Sequence, residues 1–167
     1  MTGLIIGNLC SLLAMVTDSV SSSRKTAKGV LLVQCMSQII YGAGAIALKG
    51  YSAAVQNVVS MFRNLFAIKG GNNKMVEWTL IALGVVLGIV FNNRGFYGLL
   101  PVIANLEYTV AVFKFKDDER ALKIAFMICT ILFMIFNAVI MNIVGLISNV
   151  VVIGSTVIFL IKEKKQN

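Results

Sequence analysis

From residue 122 to residue 161 the chain reads LKIAFMICTILFMIFNAVIMNIVGLISNVVVIGSTVIFLI, with Lys123 its only charge. Wound as one α-helix at 1.5 Å per residue it would reach about 60 Å, twice the ~30 Å of bilayer hydrocarbon. A turn at Asn142 divides it into two crossings, and that reading decides the fold class. A second tight hairpin, at Lys49-Gly50, divides the apolar stretch before it in the same way. Extended over the whole chain, the rule predicts seven spans: Gly3–Val20, Gly29–Leu48, Tyr51–Ile68, Met75–Phe91, Phe96–Phe113, Leu122–Met141 and Ile143–Ile161. The polar stretches SSSRKTAK, KGGNNK, NNRG and KFKDDERA separate the others.

Composition agrees with this reading. Of 167 residues 58% are hydrophobic and 13% charged, and the mean hydropathy is +0.88. A soluble domain carries about 25% charged residues, so an ordinary water-soluble domain is excluded. The absence of histidine removes the commonest general base and metal ligand. Cys10, Cys35 and Cys129 all lie in apolar stretches without a CxxC pair, and are read as small apolar residues rather than disulfide or metal ligands. No phosphate-cradling or nucleophile-elbow motif is present. Neither an enzyme nor a cofactor is expected.

The net charge of +8 is a topology signal and not a nucleic-acid footprint, because the basic residues sit in gaps between spans. Arg24, Lys25, Lys28, Lys69, Lys74, Lys114, Lys116, Arg120, Lys123, Lys162, Lys164 and Lys165 fall on one side of the predicted topology. Lys49 and Arg94 fall on the other. The positive-inside rule then puts the C-terminus in the cytoplasm and the N-terminus outside. The first span is not expected to be a cleaved signal peptide, since its basic residues follow it. The tail KEKKQN is expected to be solvated and to touch anionic lipid.

Seven spans with the fourth as connector allow a 3+1+3 layout of two parallel three-helix bundles: residues 1–69, a connector over 70–94, and residues 95–167. A shift of 92 residues superimposes the first three spans on the last three without a gap. Like-oriented repeats of this kind hold substrates between their halves near the midplane. Tyr41 and Asn57 lie about 10 Å below the outer ends of their spans, and Phe133 and Asn149 take the matching heights. Each half thereby sets one aromatic ring and one amide in the same layer. Facing each other, the two pairs would bind a small polar molecule; the alternative is that they only fill space and bond neighbouring helices.

Arg63 and Glu107 are each roughly 7–9 Å deep in the inner leaflet by the same count. Charges at that depth need partners, and the expectation is that these two pair across the halves as a gate or anion contact. The alternative has Arg63 snorkelling to lipid phosphates and Glu107 facing a cytoplasmic vestibule. Asp18 and Glu77, near span ends, are expected to reach water. Gly84 and Gly88 stand in GxxxG spacing on the fourth span. That spacing suits close packing against the first bundle, with a homo-oligomeric contact as the alternative.

The 3+1+3 layout, with an asparagine in the third and seventh helices and an aromatic sixteen positions earlier, resembles the SWEET, SemiSWEET and PQ-loop superfamily. The stretch QIIYGAG from Gln38, followed by GYSAAVQNVVSMFRN from Gly50 to Asn64, is similar to the YgjV family of bacterial inner-membrane proteins. The resemblance implies an inner-membrane carrier fold related to sugar and vitamin carriers, with Asn57 and Asn149 as solute-contacting amides and Tyr41 and Phe133 as flanking aromatics. The chain departs from the pattern in lacking a Pro-Gln dipeptide and a proline in its first helix. The expected partners are therefore the lipid bilayer and a small polar solute. The alternative function is a receptor or assembly partner that keeps the fold without transporting.

Overall fold

The structure, a computed structural model, describes residues 1–71, 73–115 and 117–166. Lys116, counted above with the basic loops, lies outside the described residues, as do Asn72, Asn167 and the side chains of Ser22 and of residues 164–166 in the basic tail. The described chain is all helical: α1 (Thr2–Ser22), α2 (Ala27–Ala47), α3 (Tyr51–Ile68), α4 (Lys74–Val90), α5 (Leu100–Lys114), α6 (Glu119–Val139) and α7 (Ile143–Gln166), with a 3-10 turn over Gly95–Leu99. The fifth predicted span therefore begins as that 3-10 turn. Pro101, which lacks an N–H, then occupies the first turn of α5, where it leaves no helical hydrogen bond unmade.

Short polar residues set the helix starts. Thr26 Oγ1 accepts from Gly29 N at 3.2 Å, Asn73 Oδ1 from Met75 N at 2.9 Å, and Asp118 Oδ1 from Ala121 N at 3.0 Å. The two tight hairpins are built alike. Lys49 and Met141 take left-handed backbone, at φ 56° and 60°. Gly50 N then donates to Ala45 O at 2.8 Å and Asn142 N to Asn137 O at 2.9 Å, which closes the end of the preceding helix.

Among the described residues, five helical segments are long and apolar enough to cross a membrane: Thr2–Ser21, Ala27–Ala47, Gly95–Lys114, Glu119–Val139 and Ile143–Glu163. The sequence predicts seven. The two that fall short do so for different reasons. α3 carries Gln56, Asn57, Ser60, Arg63 and Asn64, all buried, which dilute its hydropathy. α4 has 17 residues, a rod of only about 25 Å.

Packing arranges six helices in a closed ring. α2 stands between α1 and α3, α6 stands between α5 and α7, and the two rows join where α3 meets α5 and where α7 meets α1. α2 and α6 approach each other across the middle, and α4 lies outside against α3 and α5. One apolar cluster gathers Ala45, Leu48, Ala53, Ala54, Phe136 and Ile140 near the hairpins. Another gathers Leu31, Tyr108, Leu122, Phe126 and Val152, and Phe133 packs against both. Outward-facing Leu4, Leu9, Leu13 and Val16 of α1 and Val86 and Val90 of α4 are exposed, whereas Gln34, Gln56, Arg63, Asn64 and Asn105 are buried. Apolar outside and polar inside is the pattern a hydrocarbon solvent selects.

Candidate functional site

A cavity of about 70 Å³ lies inside the ring, with room for a few waters or one small organic molecule. Its wall takes Ser11 and Asp18 from α1, Gln38 and Tyr41 from α2, and Asn57 from α3. Phe126, Cys129, Thr130, Phe133, Phe136 and Asn137 come from α6, and Asn149 from α7. Tyr41, Asn57, Phe133 and Asn149 thus share one cavity, reached from four helices. Asn57 and Asn149 are buried, and Asn149 Nδ2 has no hydrogen-bond partner. α2 meets α3 here without crowding: a Cβ on Gly42 would stand 3.6 Å from Asn57 Cβ, an ordinary contact.

Asp18 departs from expectation. It is 4% exposed and lines the cavity, with the Ser37 hydroxyl and the Tyr41 phenol beside its carboxyl. Depth counting misplaces it because α1 continues to Ser22 and its last turn is covered. Ser21 Oγ donates to Val30 O at 3.2 Å. Lys123, predicted as a loop charge, is buried, and its Nζ donates to Arg24 O at 3.0 Å and to Glu119 at 3.4 Å.

Arg63 and Glu107 do not form an ion pair; among the described residues the ion pair is Lys123–Glu119. Arg63 is fully buried, which also removes the snorkelling alternative. Its Nη1 donates to Asn105 Oδ1 at 2.8 Å and Thr109 Oγ1 at 3.0 Å, its Nε to Asn64 Oδ1 at 2.9 Å, and its guanidinium lies 4.6 Å from the Tyr108 ring centroid. Neutral amides, a hydroxyl and a π-face hold the charge in place of the carboxylate. Glu107, half-buried on α5, keeps one buried oxygen without a hydrogen bond.

Asn105 is the centre of this α3/α5 seam. It accepts from Ser60 Oγ at 2.5 Å as well as from Arg63, and its Nδ2 donates to Gln56 Oε1 at 2.6 Å. Gln56 Nε2 donates in turn to the Gly84 carbonyl of α4 at 2.7 Å. Gly84 and Gly88 are buried there, and a Cβ on Gly88 would meet Gln56 and Val102. The GxxxG face is therefore turned inward, onto α3 and α5.

The α1/α7 seam carries neutral groups. Asn142 Nδ2 donates to Ser11 Oγ at 2.9 Å and to Asn137 Oδ1 at 3.1 Å, and Ser148 Oγ donates to Ser11 O at 3.3 Å. Asn8 Oδ1 accepts from Val144 N at 2.9 Å. Ser11 and Asn137 on the cavity wall were not singled out from the sequence, and Asn142 was read only as a turn. The available signal was an amide inside an otherwise apolar run, the same signal that marks Asn57 and Asn149.

Over residues 5–167 the chain matches the family described as Imp-YgjV, bacterial inner membrane protein. No curated protein and no solved structure matches it.

Proposed function

The chain belongs to the Imp-YgjV family of bacterial inner membrane proteins, and we propose that in that membrane it is a carrier, moving a small polar solute by alternating access. On this reading residues 1–69 and 95–167 are the moving halves, α4 within residues 70–94 is their connector, and seven helices cross in a 3+1+3 layout akin to the SWEET and PQ-loop carriers. The N-terminus faces outward and the C-terminus the cytoplasm, as the distribution of basic residues favours. α3 and α4 complete the crossings because α3 hides its polar face in the ring and the bilayer thins locally around the short α4.

The observation that carries the reading is the cavity itself. Two amides and two aromatic rings, one of each from either half, line a cavity of mixed polar and apolar wall among helices whose outer faces suit lipid. Correspondence between the halves supports it: the capping Thr26 and Asp118, the left-handed Lys49 and Met141, and the first residues of α3 and α7 all recur after 92 residues. Amides can exchange hydrogen bonds with a solute as readily as with water, so neither entry nor exit is prohibitive.

Single cysteines introduced at positions 57 and 149 test the proposal in a background with Cys10, Cys35 and Cys129 replaced. A carrier exposes both positions to impermeant maleimides from each side of the membrane in turn. In a receptor or scaffold that never alternates they stay unlabelled from one side throughout, and the carrier reading fails.

A further inference from the structure

A second space adjoins the cavity. A groove of about 570 Å³ is walled by Ile39, Ala43 and Ile46 of α2, Val55 and Val58 of α3, and Phe91 of α4. Among the described residues no charged side chain lines it, and Ile39, Ile46, Val58 and Phe91 are exposed. From Tyr51 to Met61 it follows α3 for about 15 Å, well within the thickness of the hydrocarbon. Gln38 of α2 and Asn57 of α3 belong to the walls of both the groove and the cavity. Gly42, also on the groove wall, puts no side chain beside Asn57. Two amide side chains thus stand where an apolar groove at the lipid surface meets the space inside the ring. Within that space a second observation points to a ligand. Asn149 is 5% exposed, lines the cavity, and its Nδ2 donor is unmatched, which leaves a place for an oxygen acceptor.

We infer that cavity and groove are one site for a single-chain amphiphile. Its oxygen-bearing head takes the Asn149 donor in the cavity, and its alkyl chain passes between Gln38 and Asn57 into the groove. The inference rests on the carrier reading for the cavity's being a binding site, and gives the solute an apolar tail and a sideways path from the bilayer. At about 70 Å³ the cavity suits a head of about glycerol size. Lipid tails are as apolar as the groove, so the chain sets the path and orientation, and the head's hydrogen bond holds the molecule.

Photolabelling of the full-length protein in phospholipid nanodiscs tests it, using 1-O-octylglycerol with a diazirine at the end of its chain. The label is expected on groove residues of α2, α3 and α4. Unlabelled 1-O-octylglycerol should displace it, and decane, which has no head, should not. At limiting probe, Asn149→Ala should weaken the labelling at least about threefold, as the loss of one neutral hydrogen bond does. Gly42→Leu, whose side chain would block the passage beside Asn57, should weaken it further, with Gly42→Ala, an ordinary contact, as its control. Should Gly42→Leu fail to fold, the displacement and Asn149→Ala still decide the matter. Displacement by decane as readily as by 1-O-octylglycerol, or unchanged labelling in Asn149→Ala, means that the groove holds lipid chains alone and overturns the inference. Absence of label from the groove overturns it too, and is the result a second copy of the chain covering that face would give. Those results leave the carrier reading standing, because the two-sided accessibility of positions 57 and 149 judges it separately.

Discussion

At the scale of single residues, the buried guanidinium and the cavity amides make opposite demands. Arg63 has acceptors fixed in place at Nε and Nη1, so changing its partners is costly. Asn105→Leu would strip Arg63, Ser60 and Gln56 of a shared partner and is expected to lower stability by roughly 3 kcal/mol or more, whereas Ser60→Ala removes one hydroxyl and costs about 1 kcal/mol. The melting midpoints of the two variants in detergent would check the order. Asn57 and Asn149 are different, since on the carrier reading their polar atoms serve a transient occupant. Asn149→Ala is expected to leave the melting midpoint within a few degrees of wild type, because its Nδ2 already lacks a partner, and to slow solute uptake into proteoliposomes at least about tenfold, the worth of one good hydrogen bond. These amides were legible in the sequence because an amide in apolar surroundings contrasts with its neighbours. Asp18 was not, because its distance from the span end was counted along one helix. What buries it is α2, whose Ser37 and Tyr41 stand beside its carboxyl, a contact between helices that counting along α1 does not record.

At the scale of elements, helix positions were legible to within about five residues at each end, since polar punctuation in a chain this apolar marks most of them. The predicted start and end of α3, Tyr51 and Ile68, are those observed. The crossing number was less legible, because α3's hydropathy reflects a face turned toward protein, and hydropathy alone does not tell protein from lipid. Two substitutions probe how the elements are joined. Met141 is exposed and holds a left-handed conformation that costs an L-residue roughly 1 kcal/mol. Met141→Gly should therefore raise stability by up to about 1 kcal/mol, read as a higher melting midpoint, less the entropy that glycine adds to the unfolded chain. Gly88→Val, in contrast, sets new methyl groups against Gln56 and Val102 and should destabilise by about 1–3 kcal/mol. Gly154→Ala, with nothing within 4 Å of the added carbon, provides the clash-free control and should raise stability by about 0.5–1 kcal/mol through helix propensity.

At the scale of the whole molecule, the ring is closed by two seams of different chemistry. The α3/α5 seam is braced by a buried cation, a hub amide and α4 across its back. The α1/α7 seam is held by serines and asparagines, and α1 and α7 are the least covered of the five apolar spans, with 22% and 28% of their windows buried. None of this was visible in the sequence, where the two halves read as equivalent bundles; the seams are made by contacts between helices that no local pattern records. If the protein alternates, the two rows cannot part evenly. The braced side would act as the spine of a book and the neutral side as its fore-edge. A disulfide between Ser11→Cys and Ser148→Cys would then clasp the fore-edge and arrest uptake until reduced, while the same crosslink in a rigid scaffold would change nothing measurable. Lipid tails beside α1 and α7 would feel every turn of the page, so the thickness and stiffness of the surrounding bilayer should set the pace of the cycle more than the cargo does.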